Sequence, residues 1–268
     1  MEKIAVVVVA AVAAGAALYL FGRTASSRQR LTRSVAAALA GALAAAGAVY
    51  GLEALTGDDT QMVDNAMVEA RTLPLVGLVL ADVPDAEQRL RASLKEEMRN
   101  PTTQGAPRPL VLMSELRATH IVPALKAADP ADAESVLAAR IALMRHLRGT
   151  NVQACRELAL IGIQHADRLD PQGQQLMRGM LTAMEKAYRS GRTALKSGAA
   201  APQVPNDTEA QALLVEAGLT PADFEKLQNL AKLSAEEACE LGIKLNGTPS
   251  RLPPDKAGGL SRYLAAAQ

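Results

Sequence analysis

Aromatic side chains are nearly missing from this sequence, with no Trp, two Phe and four Tyr in 268 residues. Beyond residue 57 only Tyr188, Phe224 and Tyr263 remain, which excludes the stacked aromatic platforms that hold single-stranded nucleic acids. An excess of basic charge is lacking too. Residues 1–57 hold five of the 29 basic and two of the 28 acidic side chains, which leaves the remainder formally at −2. Binding to a phosphate backbone needs a basic footprint, so nucleic acid is excluded as a partner. The core must be built from Ala, Leu, Val, Ile and Met.

Residues that carry chemistry are also scarce. Three histidines and two cysteines are present, without a Gly-rich phosphate loop, a His-Glu-x-x-His pair, a nucleophile elbow or a Cys-x-x-Cys. His120, His146 and His165 stand far apart, and none forms an i,i+4 pair on one helical face. His165 lies beside the apolar stripe of its segment and reads as a packing residue. His120, on the Glu115–Ala124 segment, is a lone candidate acid or base, which makes a weak claim. No catalytic residue, cofactor or metal site is expected.

What the chain does have is apolar length at its start. Ile4–Phe21 contains no charged side chain; as a helix it would be about 27 Å long, close to the hydrocarbon thickness of a bilayer. Val35–Leu55 is long enough as well, but its Ala and Gly gain little on leaving water, so its insertion calls for a partner helix. Ala11 and Gly15 on the first segment, and Gly47 and Gly51 on the second, each lie one turn apart and would let two backbones approach closely. The two segments bracket a turn bearing Arg23, Arg28, Arg30 and Arg33. Asp58, Asp59, Asp64 and Glu69 precede the next basic residue, Arg71. Basic loops stay on the cytoplasmic side, which predicts a cytoplasmic turn with both termini outside. A cleaved signal peptide fits less well, because the apolar run is long and no small-x-small site follows it.

The rest of the chain reads as helices. Pro74 should break the first of them, and the following apolar run, too short to span a bilayer, reads as a buried helix. Asp82 or Asp85 then caps a helix through Arg99, and Asn100–Pro109, with three prolines and a Gly, is a loop and a candidate docking segment. Leu110–Ala128, Pro130–Arg148, Asn151–Leu169 and Pro171–Lys196 follow. Asp129-Pro130 and Asp170-Pro171 each set a capping carboxylate before a proline suited to the first turn. Val136, Leu137, Ile141, Met144 and Leu147 form one inward stripe, and Val152, Cys155, Leu158 and Leu169 contribute to the next. The short connections predict an up-down bundle. Ser197–Thr208 has the composition of a linker. Beyond it lie three short helices, Ser234 and Glu237 having the capping-box spacing, and a tail rich in Pro and Gly whose order is in doubt before Leu260.

Cys155 and Cys239 are the most informative pair. In an oxidising compartment a disulfide between them would close a loop of about 85 residues and, by the chain-entropy model, contribute about 4–5 kcal/mol. Two buried free thiols are the alternative.

The expectation is therefore an all-α chain: a transmembrane hairpin over 1–57, an up-down helical bundle over 58–196, a linker over 197–208, and a small helical unit with a partly disordered tail over 209–268. Its expected role is a non-catalytic interaction or structural module in a bacterial envelope, anchored in the inner membrane with the C-terminal part periplasmic. The bilayer and a protein of unspecified identity are the expected partners. The bacterial assignment rests on Ala and Arg usage. A cytoplasmic adaptor tethered by one inserted helix, and an enzyme or binding protein whose pocket assembles from distant residues, are the alternatives.

Overall fold

The computed structural model describes residues 59–160, 162–163, 166–198 and 203–267. Among them the chain is all-helical, without a strand. The hairpin segments, with Ala11, Gly15, Gly47 and Gly51 and the turn arginines Arg23, Arg28, Arg30 and Arg33, lie outside the described residues. Among the described residues no helix is long and apolar enough to cross a membrane. Two compact units divide between Ala118 and Thr119.

The described part of the first unit contains α1 (Asp59–Thr72), α2 (Pro74–Asp82), α3 (Ala86–Arg99) and α4 (Arg108–Leu116). Pro74 ends α1 and opens α2, as a residue without an N–H does at a helix start. The apolar run after it is a buried helix, with Leu75, Val76, Val79 and Leu80 turned inside. Val63 and Met67 of α1 and Leu90 of α3 complete a core of aliphatic side chains and methionine. The loop between α3 and α4 is tied down by one carboxylate. Glu97 accepts the Thr102 amide at 2.6 Å, the Thr102 hydroxyl at 2.8 Å, the Arg108 amide at 3.0 Å and the Arg108 guanidinium at 3.2 Å. Burial pushes the Glu97 carboxyl up, but these donors outweigh it and hold its pKa below the ordinary value.

The segment expected as one helix over Leu110–Ala128 is three pieces: α4, a π-turn at Arg117–Ile121 and α5 (Val122–Lys126). Pro123 supplies the reason. It has no N–H for the carbonyl four residues back, and the helix widens to π register just before it.

The second unit is arranged around α6 (Pro130–Thr150), which packs against α7 (Val152–Leu160), α8 (Pro171–Lys196), α11 (Ala235–Asn246) and α12 (Pro254–Ala266). Between α7 and α8 lies a 3-10 turn at Ala166–Arg168, and α9 (Asp207–Glu216) and α10 (Pro221–Gln228) precede α11. The start of α6 is set by Asp129, whose side chain accepts the Ala131 amide at 2.9 Å. The start of α8 is set by Asp170, which accepts the Gly173 amide at 2.7 Å. Val136, Leu137, Met144 and Leu147 of the predicted stripe are buried. Helix α7 stops at Leu160, short of the expected Leu169, because Gly162 takes φ 87° and its amide turns back to Glu157 O at 2.8 Å.

Capping boxes start α10 (Thr220 with Asp223) and α11 (Ser234 with Glu237), the second as its spacing predicts. The tail is ordered earlier than its composition indicated: a 3-10 turn at Pro249–Arg251 leads to α12, whose Leu260 and Ala265 are fully buried. Pro254 stands in the first turn of α12, where its missing N–H costs nothing. The helices on both sides of the 197–208 stretch belong to the same compact unit, with α12 lying against α5 and α6.

Candidate functional site

Of the residues singled out in the sequence, one pair meets. Cys155 of α7 and Cys239 of α11 are joined, Sγ to Sγ at 1.95 Å with their Cα atoms 5.3 Å apart, and both side chains are fully buried. Their sulphurs lie 3.3 and 3.9 Å from the Met144 carbonyl oxygen of α6. Leu143, Leu147, Leu158 and Met180 pack around them. Gly242, one turn beyond Cys239, lies close to both neighbouring helices: a Cβ there would stand 2.4 Å from Met144 Cε, the movable end of its side chain, and 3.1 Å from Ala159 Cβ.

The two described histidines stand apart from each other and from the cystine. His146 Nε2 meets Asp170 Oδ1 at 2.8 Å, and that same oxygen caps α8. The His146 hydrogen bond, followed by that of the Gly173 amide, lowers the Asp170 pKa. The pair fastens the end of α6 to the start of α8. His120 sits half-buried in the π-turn, and His165 lies outside the described residues. Lys186 Nζ meets Asp132 Oδ1 at 2.8 Å, and this partner raises the Lys186 pKa. Among the described residues no group of three or more His, Cys, Asp or Glu side chains is placed to hold a metal ion.

Between α6, α11 and the 3-10 turn at Pro249–Arg251 lies a cleft of about 330 Å³, open to solvent on one side. Ala138, Ile141, Ala142 and Arg145 enter it from α6, a 3–4–7 spacing that places all four on one helical face. Ile243 and Lys244 enter from α11, and Ser250 and Arg251 from the 3-10 turn. The floor is apolar and the rim carries three cations.

These cations are held differently. Lys244 Nζ lies 2.6 Å from Asp223 Oδ2. That oxygen also accepts the Thr220 amide and hydroxyl, each at 2.7 Å. Lys244 first, and then Thr220, bring the Asp223 pKa down to about 2. One Arg251 guanidinium nitrogen donates to Ala217 O at 3.3 Å, just past the end of α9. Arg145 is exposed and makes no ion pair among the described residues.

Sequence reasoning missed this constellation. Arg145, Lys244 and Arg251 come from three elements spread over more than a hundred positions, and the one local hint was that Ile141 and Arg145 sit one turn apart at the edge of the α6 stripe. Compared with protein-family models, curated proteins and solved structures, the chain matches none.

Proposed function

We propose that this chain is a membrane-anchored helical interaction module of a bacterial envelope, with its bundle on the periplasmic side. The observation that carries the reading is the charge-free run Ile4–Phe21, followed by the Arg23–Arg33 turn and the second apolar run Val35–Leu55. Such a run partitions into a bilayer, and the arginines hold the turn in the cytoplasm. Joined cysteines support the same side, because disulfides persist in oxidising compartments and are rare in the cytosol. The bilayer is one partner of the anchor, with the turn arginines facing its anionic headgroups. A second protein bound by the helical surface is the other.

Topology reporters fused after Gly57 and after Gln268 test this. Both should be active only outside the inner membrane, and the product should resist carbonate extraction. Activity of both reporters on the cytoplasmic side would replace this reading by that of a cytoplasmic adaptor on a single inserted helix, a possibility raised by the Ala-rich character of Val35–Leu55.

A further inference from the structure

We propose that the cleft between α6 and α11 is a binding site for a small amphipathic monoanion, a carboxylate on a short alkyl chain. This goes beyond the envelope-module reading and does not depend on which side of the membrane the bundle occupies. The cavity is about 330 Å³, within the range of small-molecule sites, which combine an apolar lining with a few convergent polar groups. Ile141 and Ile243 are partly buried and supply the apolar floor, with Ala138 and Ala142 leaving space above it.

The charge at the mouth selects the ligand. Of the three cations, Lys244 is already neutralised by Asp223 at 2.6 Å. Arg251 spends one N–H on the Ala217 carbonyl, which orients the guanidinium while leaving its charge uncompensated by that neutral acceptor. Arg145 makes no ion pair among the described residues. A planar guanidinium fork matches a carboxylate in two parallel hydrogen bonds. The Asp223 carboxylate is spent on Lys244, so the uncompensated positive charge at the mouth is that of Arg145 and Arg251. A cationic amphiphile would be repelled.

The cystine ties the α11 wall to α7 and sets both sulphurs against the Met144 carbonyl of the α6 wall. Ile243 lies one turn beyond Cys239 on α11, and Ile141 and Arg145 flank Met144, whose carbonyl touches the sulphurs. Preorganised walls reduce the ordering cost of binding.

The test is isothermal titration of the full chain in lipid nanodiscs, with empty nanodiscs subtracted, against hexanoate, octanoate, octanol and octylammonium. Saturable one-to-one binding of octanoate is expected, tighter than hexanoate by about fourfold per added methylene. Octanol and octylammonium should bind at least tenfold more weakly. Arg145→Glu reverses charge at an exposed position and should weaken octanoate at least tenfold. Ala142→Leu, also at an exposed position, fills the cavity and should abolish the chain-length dependence, with helical circular dichroism retained in both variants. No saturable octanoate binding, equal binding of octanol, or binding undisturbed by both substitutions would overturn the proposal.

Discussion

Gly191 of α8 lies so close to Ala124 of α5 that a Cβ on the glycine would stand 1.7 Å from the Ala124 carbonyl oxygen. The obstacle is backbone, which cannot swing aside as a side chain can, so the absence of a side chain at Gly191 lets α8 reach α5 and leaves Tyr188 and Ala187 fully buried along the same crossing. Gly191→Ala should destabilise the second unit by about 3 kcal/mol, the upper part of the range for overpacked cores. Gly179, about three turns nearer the start of α8, has nothing within 4 Å of its missing Cβ. Gly179→Ala should therefore stabilise by about 0.5–1 kcal/mol through helix propensity alone. Urea unfolding of the two variants beside the parent checks the opposite signs.

Reduction of the Cys155–Cys239 bond frees two residues that are 84 apart in sequence. The chain-entropy model puts the resulting loss at about 4–5 kcal/mol. The unfolding midpoint should fall sharply in reductant, and the double variant Cys155→Ala/Cys239→Ala should reproduce the fall without reductant. An unchanged midpoint, or free thiols at both positions in freshly isolated membranes, would count against the bond.

Tyr263 of α12 donates its hydroxyl to Asp207 Oδ1 at 3.1 Å. Burial first, and then the Asp207 charge and hydrogen bond, push its pKa up to about 12. A group whose pKa is raised on folding binds its proton more tightly in the folded state, so its contribution is fully present below about pH 10 and is lost as pH rises toward 12. Stability measured across that window should decline in the parent, and the decline should be shallower in Tyr263→Phe.

Asp223 works in the opposite direction. With its pKa lowered to about 2 by Lys244 and Thr220, its contribution is present above the ordinary carboxylate pKa and lost as pH falls from about 4 toward 2. Asp223→Asn should flatten that acid limb. Thr220→Ala, which removes the reciprocal cap of α10, should cost about 1 kcal/mol at neutral pH. Thermal melts at pH 7, 4 and 2.5 separate the two effects.

Part of this fold was legible in advance because it rests on contacts within a few residues. Asp129-Pro130, Asp170-Pro171 and the Ser234–Glu237 box announce helix starts, since each cap bonds an amide two or three positions on. The α6 stripe follows from the 3.6-residue repeat. Loop order was not legible: Asn100–Pro109 has the composition of a free segment, yet Glu97 reaches forward from α3 to hold Thr102 and Arg108. Nor was the pairing of His146 with Asp170, because a single histidine carries no mark of which carboxylate it will meet 24 residues away.

The amino-acid order by itself determined that the described chain is helical, where most of its helices begin, and that its core is aliphatic, because propensity, capping and periodicity act over one or two turns. Only the tertiary structure decided that Cys155 meets Cys239 beneath Met144, that Gly191 admits the Ala124 carbonyl, and that Arg145, Lys244 and Arg251 share one cleft. Those meetings depend on how whole helices stack, and side chains brought together across 67 to 106 positions leave no periodic trace in the chain that carries them.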